Sequence, residues 1–122
     1  MTKVLAIEDD ALLRDSIVNV LTLRGLTAIA AENGYVGLKL AQENLPNLVL
    51  CDVRMPGLSG YEVLKSLRED PNTATIPLIF LTAENTPEVM AMGADLGANG
   101  YLCKPFSTSE LMIAIAPFVS DQ

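Results

Sequence analysis

Five short apolar runs alternate along the chain with five stretches in which apolar residues recur every three or four positions. The runs are Lys3 to Ile7, Thr27 to Ala30, Asn47 to Cys51, Ile76 to Leu81 and Asn99 to Leu102. Each is short, is bounded by turn or charged residues and reads as a strand buried on both faces of a parallel sheet. In the first helical stretch Leu13, Ile17, Val20 and Leu21 share a face, Asp10 is the expected N-cap and Gly25 the C-terminal stop. Asn33 opens a second helix to about Glu43, with Val36, Leu40 and Ala41 expected inward and Pro46 just past its end. Ser59 and Glu62 have capping-box spacing ahead of Val63, Leu64 and Leu67. Thr86 and Pro87 supply an N-cap and an N1 proline for a fourth helix carrying Val89, Met92 and Leu96, interrupted by Gly93 and closed by Gly97. A second capping box, Ser107 with Glu110, starts the last helix, whose Leu111, Ile115 and Phe118 should face the sheet. Pro117 removes a backbone donor, so this helix is expected to stop or kink around Ala116.

Strands and helices in strict alternation with short loops predict a right-handed α/β sandwich. The strand order 2-1-3-4-5 is expected because it sets strands one and three side by side at a switch point. Ligands of such sheets bind beyond the carboxyl ends of the strands. Glu8, Asp9 and Asp10 follow the first strand there, Asp52 the third and Lys104 the fifth.

The chain's 122 residues suit one domain that buries about two-thirds of its unfolded surface. Half the residues are hydrophobic, which excludes disorder, and 8 basic against 15 acidic residues give a net charge of −7. Counterion release, which drives non-specific nucleic-acid binding, is therefore closed to it, and no direct nucleic-acid partner is expected. No apolar run approaches a membrane span or a signal-peptide core, so a cytoplasmic, membrane-free location is expected. Cys51 and Cys103 stand on strands that flank a common neighbour, about 9 to 10 Å apart and beyond disulfide reach. Both are read as core packing, as are Met55, Met90 and Met92.

Three carboxylates brought together repel unless a cation answers them. Lys104 offers a point charge on a long stem. The rest of the demand fits magnesium, a hard ion that takes oxygen ligands and completes its shell with water and phosphate oxygens. The chain has no histidine, which speaks against zinc. Asp10 is read as an N-cap and not as a ligand.

The chain resembles the receiver domains of two-component response regulators. The matches are Glu8-Asp9, Asp52 followed by Met55-Pro56-Gly57 and Gly60, Leu81-Thr82-Ala83, Gly97-Ala98-Asn99-Gly100-Tyr101, and Lys104-Pro105-Phe106. They run in family order over essentially the whole chain, so residues 1–122 read as one receiver domain, standing alone or at the N-terminal end of a longer regulator. The resemblance implies a flavodoxin-like fold in which Asp52 accepts a phosphoryl group from a histidine kinase or phosphotransfer protein. It implies that magnesium is held by Asp9, Asp52 and the backbone carbonyl of Arg54, with Glu8 reaching the ion through water. Lys104 and Thr82 would contact the phosphoryl oxygens, and Thr82 with Tyr101 would form the switch. Such a protein catalyses its own phosphorylation and dephosphorylation without being a conventional turnover enzyme. The fourth helix, fifth strand and fifth helix would carry the signal, homodimerisation included, and local stability is expected to be low there.

Glu8 stands where aspartate is commoner in the family. Arg54 and Glu84, two residues after Asp52 and Thr82, occupy places that tune the lifetime of the phosphoryl group in similar domains, and they are expected to pair across the site. Two other readings compete. A magnesium-dependent phosphatase of the haloacid-dehalogenase kind needs a second acid two residues after the nucleophile, where this chain has Arg54. A receiver-like interaction module would take no phosphoryl group at all.

Overall fold

The computed structural model describes residues 2–84 and 86–119. Five strands, β1 (Lys3–Ile7), β2 (Thr27–Ala31), β3 (Leu48–Asp52), β4 (Leu78–Thr82) and β5 (Gly100–Cys103), alternate with five helices. The helices are α1 (Ala11–Leu23), α2 (Gly34–Asn44), α3 (Gly60–Glu69), α4 (Pro87–Leu96) and α5 (Thr108–Val119). The sheet is parallel throughout and ordered β2-β1-β3-β4-β5, as the apolar runs predict.

Alternation along the strands divides the core into two layers. Leu5, Ile7, Val49, Cys51, Leu78 and Phe80 pack with Ala41 of α2 and with Val63, Leu64 and Leu67 of α3. Val4, Ala6, Leu48, Leu50, Ile79, Leu81 and Leu102 pack with Ile17 and Leu21 of α1 and with Leu111 and Ile115 of α5. Each fully buried Leu, Ile or Phe contributes roughly 1.5–3 kcal/mol. The strand ends are thereby held rigidly at one edge.

The expected caps form. Asp10 accepts from the amides of Leu12 and Leu13, Asn33 from Val36 and Thr86 from Val89. Ser59 with Glu62, and Ser107 with Glu110, make reciprocal side-chain to backbone bonds.

Several expectations need correction. β4 starts at Leu78 and β5 at Gly100, two and one residues later than expected, and β3 runs on to include Asp52. Val36 is exposed, and α2 instead buries Gly34, Gly37 and Ala41. The reason is the close approach of α2 to β1: a methyl group on Gly37 would overlap the Ile7 side chain, only 2.7 Å from its Cγ1. Met90 and Met92 stand out from α4, 43% and 49% exposed, and only Met55 of the three packs in the core. Cys51 is buried as expected but Cys103 is exposed, because it ends the edge strand β5. Finally, α5 continues through Pro117 to Val119. Proline frees the carbonyl four residues back, that of Ile113, and Ile113 is on the solvent side at 74% exposure, where water can serve that oxygen.

Candidate functional site

Three strand ends bring the charged residues together. Just past β1, the Glu8 side chain is fully buried. Its Oε2 accepts from the amide of Asp10 at 3.0 Å, which fixes the carboxylate. Its Oε1 lies 2.8 Å from Lys104 Nζ as an ion pair. Asp52 ends β3 at 6% exposure, with Oδ2 3.1 Å from the same Lys104 ammonium. Asp9 is exposed beside them, and one carboxylate oxygen from each of Glu8, Asp9 and Asp52 lies within 4.8 Å of the others.

Burial pushes the Asp52 carboxyl up to about 7, and the Glu8 carboxylate adds to the shift while Lys104 opposes it. Burial also disfavours the Lys104 ammonium, but its contacts with Glu8 and Asp52 outweigh that and hold its pKa above the ordinary lysine value. One ammonium is therefore shared between two buried carboxylates. The site remains short of positive charge.

Beside Asp52 opens a cavity of about 220 Å³ lined by Asp52, Arg54, Thr82, Ala83, Glu84 and Lys104. Thr82 ends β4 at 3% exposure, and its carbonyl accepts from the Lys104 amide at 2.8 Å, which ties the β5 end to the β4 end. Its hydroxyl oxygen accepts from the Glu84 amide at 3.0 Å, leaving the hydroxyl proton to donate. Across the mouth, Arg54 Nε donates to Glu84 Oε1 at 2.6 Å. The expected pairing of these two residues is present. That hydrogen bond lowers the Glu84 pKa, and the exposed pair adds little to stability.

Tyr101 stands farther along β5, half-buried, its ring 5.6 Å from that of Phe80. Its hydroxyl is 2.9 Å from the carbonyl oxygens of both Val89 and Met90 in α4. The Asp10 carboxylate caps α1 and is not one of the three that gather, although its amide holds Glu8.

Two further residues matter that the sequence pattern did not single out for a role. A methyl group on Gly60, at the start of α3, would overlap the Asp52 carbonyl oxygen and stand 2.9 Å from Val53 Cα. The missing side chain is what lets α3 begin directly against the backbone that carries Asp52. Phe80 meets Tyr61 edge-on at 5.3 Å and Tyr101 in a tilted contact at 5.6 Å, joining α3 to β5 through β4. Only the contact reveals this, since a buried strand aromatic carries no mark of its neighbours.

Residues 4–116 match the response regulator receiver domain family model. Among curated proteins, histidine kinase P4 of Formosa agariphila is 38% identical over 119 residues, covering 98% of this chain and 9% of that protein. The phosphate regulon transcriptional regulatory protein PhoB of Pseudomonas aeruginosa is 35% identical over 109 residues, covering 89% of this chain and 48% of that protein. The chain thus spans at most about half the length of these relatives. Among solved structures, chemotaxis protein CheY4 of Vibrio cholerae superposes with a TM-score of 0.93 at 31% identity, covering 98% and 99% of the two chains. The receiver domain of sensor histidine kinase PA1611 from Pseudomonas aeruginosa, solved with a magnesium ion in its active-site cleft, gives 0.88 at 26% identity, covering 98% of each chain. With the strand order, the gathered acids and the lysine at the sheet edge all in agreement with these matches, the chain belongs to the response regulator receiver domain family.

Proposed function

We propose that Asp52 accepts a phosphoryl group from the phosphohistidine of a histidine kinase or phosphotransfer protein, in a magnesium-dependent reaction, and that the domain thereby switches a signalling surface. The observation that carries this reading is the position of the Asp52 carboxylate, opening onto a cavity between the Lys104 ammonium and the acids of β1.

The residues present fit a hard divalent ion. Their donors are all oxygen, the two buried carboxylates of Glu8 and Asp52 share the single Lys104 ammonium, and burial drives Asp52 toward protonation. Bound magnesium would supply charge neutralisation for the incoming phosphoryl oxygens. Asp9, Asp52 and the Arg54 backbone carbonyl would hold it, and Glu8 would reach it through water.

The Asp52 carboxylate oxygen attacks phosphorus in line; the new O–P bond forms as the P–N bond to the donor histidine breaks. Catalysis then consists of positioning and charge stabilisation. Lys104 sits on the phosphoryl side of Asp52 and pairs with a phosphoryl oxygen, as a point charge on a flexible stem can. Thr82 donates its hydroxyl proton to another oxygen. That bond draws the β4–α4 loop inward and biases Tyr101, which stands against α4. Arg54 and Glu84, paired over the mouth, obstruct attacking water and lengthen the life of the acyl phosphate. The face formed by α4, β5 and α5 meets the next partner, a second copy of the chain included, and the reaction belongs to a cytoplasmic domain. Among the described residues no helix is long and apolar enough to cross a membrane.

The phosphatase reading is the weaker one, because the position two residues after Asp52 holds Arg54, a base at 77% side-chain exposure. Incubation with magnesium and acetyl phosphate tests both. A single hydroxylamine-sensitive adduct, absent from Asp52→Asn, is the expected result. Rapid multiple turnover would favour the phosphatase, and no adduct would favour an interaction module that takes no phosphoryl group.

A further inference from the structure

Glycine weakens a helix interior relative to alanine, so Gly93 in the middle of α4 needs a reason. It is the buried residue of α4. The space beside it is filled from another element. Tyr101 reaches over from β5, and a methyl group on Gly93 would overlap the Tyr101 hydroxyl oxygen, with 2.7 Å to Cζ and 3.0 Å to Phe80 Cε2. Cζ belongs to a rigid ring already packed against Phe80, so no small adjustment of a flexible tip relieves the overlap. The Tyr101 hydroxyl holds carbonyl oxygens one turn earlier in the same helix, those of Val89 and Met90. The ring thus lies under α4 in a groove that only glycine leaves open. Behind it, Phe80 contacts Tyr61, whose ring lines the same hollow as Arg54 at the mouth of the site.

We propose that Gly93 is the socket of the Tyr101 ring, and that this position sets the balance between the docked pose and a pose turned to solvent, coupling α4 to the Asp52 site. The docking itself stands on packing alone; its coupling to Asp52 rests on the function proposed above. A ligand at one site shifts a second element only if that element has two states to choose between. Alanine at position 93 leaves one, the outward pose.

The test uses the whole chain labelled with 3-fluorotyrosine and read by fluorine NMR with a soluble paramagnetic chelate. Each signal is assigned by Tyr→Phe substitution, and Tyr35, 63% exposed, serves as the standard of an open ring. In the unmodified chain without magnesium, the Tyr101 signal should be shielded from the chelate. In Gly93→Ala it should broaden as strongly as that of Tyr35. Equal shielding in both proteins overturns the proposal. A second measurement guards against a folding defect: Gly93→Ala should raise the melting temperature when Tyr101→Ala has emptied the socket, and fail to raise it when the tyrosine is present. An equal rise in both backgrounds also overturns it. Magnesium with beryllofluoride should shift the Tyr101 signal of the unmodified chain and leave that of Gly93→Ala unmoved; equal shifts overturn the coupling. Adduct formation on Asp52 is scored separately by intact mass with acetyl phosphate. Failure there counts against the phosphoacceptor reading, while ring exposure, measured without any donor, still decides the socket.

Discussion

Burial governs the protonation of Asp52 more than its neighbours do, and this makes the stability of the metal-free protein depend on pH. The ordinary aspartate value is 3.8, and burial pushes the folded group up to about 7. Between those values the folded chain binds more protons than the unfolded chain, so the contribution of Asp52 to stability is full below the lower value and is lost as pH rises through the upper one. Thermal melts without magnesium should therefore show a decline from about pH 4 to about pH 7 that is smaller in Asp52→Asn. An identical slope in the variant would show that another group titrates there. Arg54→Ala should shorten the life of the phosphorylated form, because it removes the partner of Glu84 over the cavity without touching Lys104. The decay of the acetyl-phosphate adduct, followed by mass, measures this, and an unchanged rate excludes the shielding role. Leu45 is a residue-scale cost of a different kind. It caps α2 at φ +46°, in the left-handed region where a side chain is strained, and its side chain is exposed. Leu45→Gly should raise stability by about 0.5–1 kcal/mol in urea unfolding.

At the scale of elements, the helices are held unequally. α3 has a complete capping box and buries Val63, Leu64 and Leu67, whereas α4 buries only a glycine among its described residues and leans on Tyr101. Local opening follows buried contacts, so α4 amides should exchange hydrogen faster than those of β3 and β4, whose residues are all buried. Hydrogen exchange resolved by element checks this. Arg68 ties down the far end of α4: its guanidinium donates to the carbonyls of Gly97 and Ile76 and to Asn99 Oδ1. The helix is anchored by Arg68 where it ends, and near its start, next to the Thr82 loop, it is held by the Thr86 cap and by the Tyr101 hydroxyl, which a turn of that ring would release. Such an arrangement suits an element that pivots. In α5, Pro117→Ala restores a backbone donor in a regular helix at an exposed position and should stabilise the fold by roughly 1–3 kcal/mol.

For the whole molecule, the acids of β1 and β3 meet only when the sheet is assembled, so a divalent ion that binds them binds the folded chain and stabilises it by mass action. Millimolar magnesium should raise the melting temperature, and more at pH 8 than at pH 5, because it competes with the proton on Asp52. A melting curve indifferent to magnesium at pH 8 would count against the acidic cluster as an ion site. How much of this was legible in advance depends on the range over which each feature is determined. Continuous apolar runs, capping boxes and strand-end charges are local, so five strands, five helices and the convergence of Glu8, Asp9, Asp52 and Lys104 could be read from residue order and the topology it implies. Distances between elements are not local. That α2 lies on β1 closely enough to bury Gly37 and turn Val36 outward, that α5 runs on through Pro117 with Ile113 on its solvent side, and that Gly93 opens a groove for Tyr101 all depend on how near one packed surface comes to another. Periodicity in the chain carries the direction in which each side chain points, whereas the depth to which it can sink is decided by the side chains it meets across the core.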